Sequence, residues 1–339
     1  MRKSSVVIGE SNPPCEGTSI DSLDKSKRLK FTIAARTGKA SGALPLCPLC
    51  KAQDNEERFV DHGYSLRLCH TCELSFIHPY PEIDAQHRRV SVGQYEEIEL
   101  LDPSRRYLSE VAYYKRRFLM IAEECRGAKS VLDVGCGTGH LLERLSVFPE
   151  LHRQGLELNA APAEYARRVA NCEIYQMPLE EFKANSKFDV ITMINVFSHI
   201  PSFDGLFNSI RSLLQPGGKL ILWTSEMGQG ANRWSQFVWG IPDDLHFLGL
   251  TTLDFACRKY HFEIARRTRV AYADEVFLPS RWKQAGRSRF RNTIKYAVAA
   301  TPLALPALKV LYNTLVGREL FLSFIVLTPA LSAATHRGE

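Results

Sequence analysis

Residues 131–142, Val-Leu-Asp-Val-Gly-Cys-Gly-Thr-Gly-His-Leu-Leu, constrain this chain more than any other stretch. Val131 to Val134 read as a short buried strand, Gly135, Gly137 and Gly139 follow at alternate positions, and Leu141, Leu142 and Leu145 take up helical spacing. A strand that breaks into a glycine turn and re-enters as a helix brings its backbone close to a ligand. Glycine accepts a positive φ there and carries no Cβ to block the approach. The helix start adds free N–H groups and the positive end of its dipole. Glycines alone do not name the ligand; the neighbouring strand ends must.

Those ends lie downstream. Gly155-Leu-Glu-Leu-Asn159 closes a second strand, with Glu157 eighteen residues past Gly139. An acidic residue about 20 positions past the glycine loop is where a doubly wound sheet grips ribose hydroxyls. A solvated surface glutamate is the alternative. Ala161 to Val169 follows as a helix, Cys172 to Tyr175 as a third strand, and Phe188 to Asn195 as an apolar central strand whose continuation, through His199, opens onto the cleft. A helix over 204–214, the turn Gln215-Pro-Gly-Gly218, a fifth strand over Lys219 to Thr224, a sixth helix over Thr251 to His261 and a strand over Phe262 to Ala271 complete the alternation. The pattern predicts an α/β doubly wound sheet with ligands at the carboxyl ends of its strands, where Gly135, Glu157, Met177 and Asn195 share one rim.

Ahead of this region, Cys47-Pro-Leu-Cys50 and Cys69-His-Thr-Cys72 stand eighteen residues apart. That is the spacing of a four-thiolate zinc site, against the alternative of a redox pair or unrelated pairs. A unit of under about 40 residues cannot bury enough surface to fold alone, and zinc binding of about 10–16 kcal/mol can supply the difference. Four thiolates close the coordination sphere, so the zinc is structural; His70 is not a ligand. Pro79 and Pro81 mark a linker, and 93–127 reads as mainly helical, with Tyr107, Val111, Tyr114, Phe118 and Ile121 on one face and Tyr95, Tyr113 and Tyr114 as alternative cleft-edge or packing residues.

Residues 1–42 are polar and aperiodic, a tail expected to be disordered, with a small basic cluster at Lys25 to Lys30 and an isolated Cys15. No apolar run of secretory length follows Arg2 and Lys3, and the nine cysteines are odd in number. A reducing, cytoplasmic location is expected, with thiols free or on metal. A net charge of +6 is too mild to indicate nucleic acid. Near the C-terminus a basic run (Arg281, Lys283, Arg287, Arg289, Arg291, Lys295) precedes a proline-broken apolar helix over 296–316. No clean span of about 20 apolar residues exists there. The segment fits either a helix packed on its own domain, the preferred reading, or a peripheral contact with the inner face of a membrane through 281–316.

Val-Leu-Asp-Val-Gly-Cys-Gly-Thr-Gly, Glu157, the run from Phe188 to Ile200 and the turn Leu214 to Trp223 resemble, in order and spacing, the motifs of the class I S-adenosylmethionine-dependent methyltransferases over about residues 90–275. Dinucleotide sites instead want GxGxxG, with the last glycine one residue later. The resemblance implies a Rossmann-like, seven-stranded, mostly parallel sheet with an antiparallel last strand at its edge, over Leu320 to Leu327. It implies donor contacts from Asp133, Gly135, Cys136, Gly137 and Gly139 to the methionine part. Glu157 would take the ribose, Met177 and Leu179 the adenine, and Asn195 the donor's tail, with Leu158 a further cofactor-binding residue. With Cys47, Cys50, Cys69 and Cys72 ahead of it, the chain is similar to a bacterial group that modifies sugars of glycans or natural products. This implies a small-molecule or glycan acceptor, and a lipid-linked sugar would account for the basic and apolar C-terminal segments together. The group carries an acid before the histidine that follows the fourth strand; here that position is Ser198, followed by His199.

The expected organisation is a tail over 1–42, a zinc ribbon over 43–82, a methyltransferase domain over 90–277, a helical insertion over 278–317 and the last strand over 318–330. A hydroxyl or carbon acceptor needs a general base. His246, in Asp243-Asp-Leu-His-Phe247 between the fifth strand and the next helix, is the first candidate and His199 the second. Two rival readings are a ribosomal-RNA base methyltransferase and a non-catalytic scaffold. The first lacks the Asn/Asp-Pro-Pro-aromatic signature after the fourth strand and a cysteine nucleophile; the intact glycine loop and Glu157 weigh against the second.

Overall fold

The computed structural model describes residues 44–61, 63–82, 117–227, 241–271, 301, 303–316 and 320–330. The expectations for residues 1–42, Tyr95, Tyr107, Val111, Tyr113 and Tyr114, and for the basic run 281–295, lie outside the described residues. Gly42–Glu339 form one compact unit.

Three strands, β1 (Asn55–Asp61), β2 (Tyr64–Cys69) and β3 (Ser75–His78), form an antiparallel meander between and after the two cysteine pairs. The main sheet contains β4 (Ser130–Val134), β5 (His152–Leu156), β6 (Glu173–Tyr175), β7 (Phe188–Ile194) and β8 (Leu214–Met227). A two-residue strand, β9 (His246–Phe247), lies in the connection after β8 and adds to β3. β10 (Phe262–Ala271) and β11 (Leu320–Pro329) return to the main sheet, whose order is β10-β11-β8-β7-β4-β5-β6.

The strands β4 to β8 pair in parallel, and β11 runs antiparallel to both β8 and β10. From β4 the chain moves outward through β5 to β6, then returns to the other side of β4 as β7. That reversal opens a crevice at the carboxyl ends of β4, β5 and β7, the switch point of a doubly wound sheet. Alternate residues feed two cores. Leu132 and Ile191 join one, with Leu206 and Phe207 of α3 (Phe203–Leu213) and Leu253 and Ala256 of α4 (Thr252–Tyr260). Val131 and Val190 join the other, with Leu142 of α1 (His140–Arg144), Ala163 and Ala166 of α2 (Ala160–Ala170) and Ile121 of the helical residues 117–124.

Two details differ from the sequence reading. The last strand is interior, because β10 takes the edge beside it. Phe324, Ile325 and Leu327 of β11 are fully buried, whereas β10 carries Arg266, Arg267 and Arg269 and is mostly half-exposed. An apolar strand is stable between neighbours, and a charged one tolerates an edge. The fifth strand also starts early: Phe188 pairs with Leu214 and Val190 with Lys219, so residues 215–218 bulge out between them.

Of the 296–316 segment, α5 (Ala304–Val316) is described. Leu305 is buried, while Leu303, Val310 and Leu311 are exposed. Among the described residues, no helix is long and apolar enough to cross a membrane.

An interior β11 predicts a large cost for Phe324→Ala. Denaturant unfolding should show a loss of about 3–5 kcal/mol, the range for a buried phenylalanine truncated in a core. A loss below about 1 kcal/mol would be the behaviour of an exposed edge.

Candidate functional site

The crevice is built around the turn after β4. Asp133 is buried near the end of that strand and accepts a hydrogen bond from Thr192 Oγ1 of β7 at 2.6 Å. Burial pushes its carboxyl up to about 7; the Thr192 bond opposes that shift and the charge of Glu157 adds to it. Gly135 follows with φ +68°, and a Cβ there would lie 2.4 Å from Val196 Cγ2. Gly139, φ +79°, starts α1, and a Cβ on it would lie 3.0 Å from the Cα of Ala166. Both positions combine a backbone shape that favours glycine with a close neighbour.

Glu157, just past β5, ties the turn down. Its Oε2 accepts the N–H of Gly137 at 2.9 Å and its Oε1 the N–H of Asn159 at 2.9 Å. The N–H of Cys136 bonds the carbonyl of Leu156 at 2.9 Å. Burial pushes the Glu157 carboxyl up, and the backbone donors pull it back. Each oxygen keeps a second lone pair, so two ligand hydroxyls still find acceptors. Cys136 is a buried thiol raised by desolvation, a packing group and no nucleophile.

The remaining rim residues separate by exposure. Leu158 is 40% exposed, Met177 half-buried and Asn195 exposed. Leu179 is enclosed in the core that also holds Leu156 and Phe182, so Leu158 and Met177 present the apolar surface on that side. Asn195 adopts φ +58°, and its N–H bonds the Trp223 carbonyl at 2.8 Å. Arg117, which the sequence reading missed, is buried with its guanidinium 4.4 Å above the Trp223 ring. Nothing in the local sequence pairs those two residues.

Across the crevice the segment after β7 meets residues 243–246. Ser198 Oγ donates to Asp244 Oδ1 at 2.5 Å. His199 Nδ1 lies 2.8 Å from the Asp243 carbonyl and 3.7 Å from Asp244 Oδ1. A carbonyl partner puts the proton on Nδ1 and makes Nε2 the basic nitrogen. The acid absent at Ser198 is thus matched in space by Asp244.

His246 sits in β9 with 1% exposure, between β8 and α4. Its Nε2 donates to the Ile200 carbonyl at 3.0 Å, its ring lies 4.5 Å from Phe203 and 5.2 Å from Phe197, and its Nδ1 has no hydrogen-bond partner among the described residues. Burial pulls it down to about 4, so it is a neutral ring near pH 7.

The sulfurs of Cys47, Cys50, Cys69 and Cys72 all lie within 4.8 Å of one another and can hold a metal ion. The Cys47–Cys72 and Cys50–Cys69 separations are 3.6 and 3.5 Å. Tetrahedral zinc with bonds of about 2.3 Å sets sulfurs about 3.8 Å apart, so the quartet fits. Contact with the Cys69 sulfur pushes Cys47 up to about 12, and crowding by Cys47 and Cys69 also raises Cys72. A dication would hold such thiols as thiolates.

A family model described as a methyltransferase domain matches residues 105–266. The ubiquinone biosynthesis O-methyltransferase of Histophilus somni is 30% identical over 174 residues, which span 48% of this chain and 68% of that protein. Its counterpart in Pasteurella multocida is 29% identical, over 41% of this chain and 64% of that one. Among solved structures, phosphoethanolamine N-methyltransferase 2 of Haemonchus contortus, in complex with S-adenosyl-L-methionine, aligns with a TM-score of 0.54 at 16% identity, over 76% of this chain and 62% of that one. A cyclopropane synthase of Mycobacterium tuberculosis aligns with a TM-score of 0.52 at 16% identity, over 74% of this chain and 99% of that one. Both share the fold.

The site carries a pH signature. A native carboxyl at about 7 against an unfolded 3.8 binds its proton more tightly when folded, so its contribution to stability falls as pH rises between those values and is level above. Asp133→Asn removes the ionisation and keeps an oxygen for Thr192. Relative to wild type, the variant should gain about 2–4 kcal/mol in unfolding free energy between pH 4 and pH 8. Parallel pH profiles would contradict the buried, proton-holding Asp133.

Proposed function

The chain belongs to the class I S-adenosylmethionine-dependent methyltransferases, and from that premise we propose that it binds S-adenosyl-L-methionine in the β4–β5 crevice and methylates an oxygen of a small-molecule acceptor. The observation that carries this reading is the Glu157 carboxylate, fixed under the turn by Gly137 and Asn159 with a lone pair left on each oxygen. Two vicinal ribose hydroxyls are the ligand feature it suits. Gly135, Gly137 and Gly139 leave backbone room for the methionine part, Asp133 backs the turn, and Leu158 and Met177 offer an apolar surface to the adenine. The O-methyltransferase names of the relatives support oxygen as the acceptor atom. A glycan acceptor is the narrower form of this reading and rests on the sequence resemblance.

Methyl transfer is an in-line displacement at a sulfonium carbon. The donor is already activated, so the protein's work is to hold the acceptor at near-attack distance, which can supply about 7–11 kcal/mol. A hydroxyl must also lose its proton, and a positioned base contributes about 10²–10⁴-fold. We assign that base to His199 Nε2. Its Nδ1 is held by the Asp243 carbonyl, with Asp244 3.7 Å away to favour the imidazolium that forms. His246, enclosed by Phe197 and Phe203, shapes the wall behind it; its bare Nδ1 makes it the alternative base.

Cys47, Cys50, Cys69 and Cys72 are proposed to hold one structural Zn²⁺. The eight cysteines among the described residues form no disulfide with one another, which supports a reducing, cytoplasmic compartment. Between Glu275 and Glu319 the sequence has no acidic residue but carries Arg281, Lys283, Arg287, Arg289, Arg291, Lys295, Lys309 and Arg318. Together with exposed Leu303, Val310 and Leu311 this supports peripheral contact with an anionic membrane face. Flotation with anionic liposomes should show binding that salt weakens and that Val310→Asp with Leu311→Asp abolishes. An unbound wild-type chain would remove the membrane from the account.

Calorimetry with S-adenosylhomocysteine tests the reading. One site per chain is expected, with affinity falling at least about tenfold in Glu157→Ala, the cost of losing a charged hydrogen-bonding partner. Absence of heat in the wild type would refute donor binding. His199→Ala should lower turnover about 10²–10⁴-fold with donor affinity nearly unchanged. If His246→Ala has that effect instead, the base is His246.

A further inference from the structure

We infer that the cysteine knuckle positions the acceptor side of the site, by fixing residues 243–252 against the segment that follows β7. This rests on the methyltransferase reading and deepens it, because it assigns the metal module a place in the reaction's geometry.

The contacts run directly from a metal-ligand residue to the crevice. Thr252, fully buried, donates from Oγ1 to the carbonyl of Cys72 at 2.7 Å and accepts the N–H of Gly249 at 2.8 Å. Thr251 donates from its N–H and its Oγ1 to Glu73 Oε2, at 2.9 and 3.0 Å. Gly249 packs so closely that a Cβ on it would lie 2.1 Å from the Glu73 carbonyl oxygen. One residue pair earlier, β9 pairs His246 with Phe76 and Phe247 with Ser75, and the N–H of Ile77 reaches the Leu245 carbonyl at 3.0 Å.

The opposite side of the same segment holds the catalytic rim. Leu245 donates its N–H to the Ser198 carbonyl at 2.8 Å. Asp244 accepts from Ser198, the Asp243 carbonyl holds His199, and His246 holds the Ile200 carbonyl. Residues 243–252 are therefore a spacer bonded on one side to Cys72 and Glu73 and on the other to residues 198–200. Cys47, Cys69 and Cys72 share a core with Phe197 and Phe203, so the spacer has no slack from packing either. Donor contacts at Gly137 and Glu157 do not pass through it. Metal loss should loosen the acceptor side and spare the donor side.

Hydrogen exchange by mass spectrometry on the full chain tests this, with zinc loaded and with zinc stripped by a chelator. Calorimetry with S-adenosylhomocysteine runs alongside. Stripping should speed exchange of the 243–252 peptides at least about tenfold, while 130–157 and the affinity for S-adenosylhomocysteine change by less than about threefold. In the zinc-loaded chain, Thr252→Val should speed the same peptides with one zinc per chain retained, and Thr252→Ser should restore wild-type exchange. Unchanged exchange over 243–252 in either the stripped chain or the zinc-loaded valine variant would overturn the inference. Should stripping unfold the whole chain, seen as equal acceleration over 130–157, the valine and serine variants alone decide. A wild-type chain that gives no heat with S-adenosylhomocysteine refutes the methyltransferase reading instead, and leaves the exchange result to stand on its own.

Discussion

The Glu157 carboxylate is the joint on which the candidate site depends. It is buried, which is costly for a charge, and it is kept by two backbone N–H groups, one from the glycine turn and one from the start of α2. The register of β4 with β5 makes that joint possible: Asp133 faces Gly155 and Val134 faces Leu156, so the chain leaves β5 directly beneath the turn. Gly155 has to be small there, because a Cβ would lie 2.8 Å from the Cys136 sulfur. A carboxylate of this kind does two jobs with one side chain. It closes the turn in the absence of ligand and keeps lone pairs for hydroxyls when one arrives.

The acceptor side is held by different means. No single side chain plays the part of Glu157; a short segment is pinned between the cysteine knuckle and the end of β7 instead. On the proposed reading, this arrangement separates donor binding from acceptor alignment. In methyl transfer the donor is activated before it binds, so rate depends on where the second reactant stands. The histidine best placed to take a proton, His199, is oriented by the backbone of Asp243, which belongs to the pinned segment.

Much of this was legible in the sequence, for identifiable reasons. The glycine turn, Glu157 and the buried strand over Phe188 to Ile194 announce themselves through local spacing and periodicity, and the cysteine pairs through their interval. Three features did not, and each is a product of non-local pairing. β9 is two residues long and has no periodicity to detect; it exists because β3 offers it an edge. Asp244 lies 46 positions from the Ser198 it serves, so a missing acid in one motif gave no pointer to its replacement. His246 read as a loop residue because it lies between the fifth strand and the next helix, yet Phe197 and Phe203 close over it from elsewhere in the chain. The position of β11 was expected at the edge and is interior, because which strand takes the edge is decided by the pairing of β10 with β11, another non-local contact.

The claim at the centre of this account is that the crevice delivers a methyl group to a small molecule. The most direct test is to incubate the zinc-loaded chain and S-adenosyl-L-methionine labelled in its methyl group with fractionated cell extract, and to follow the label. The account predicts label in a small-molecule fraction, attached through oxygen, and none when Glu157→Ala replaces the wild type. Label in RNA, or no transfer to any fraction by a chain that binds the donor, would contradict it.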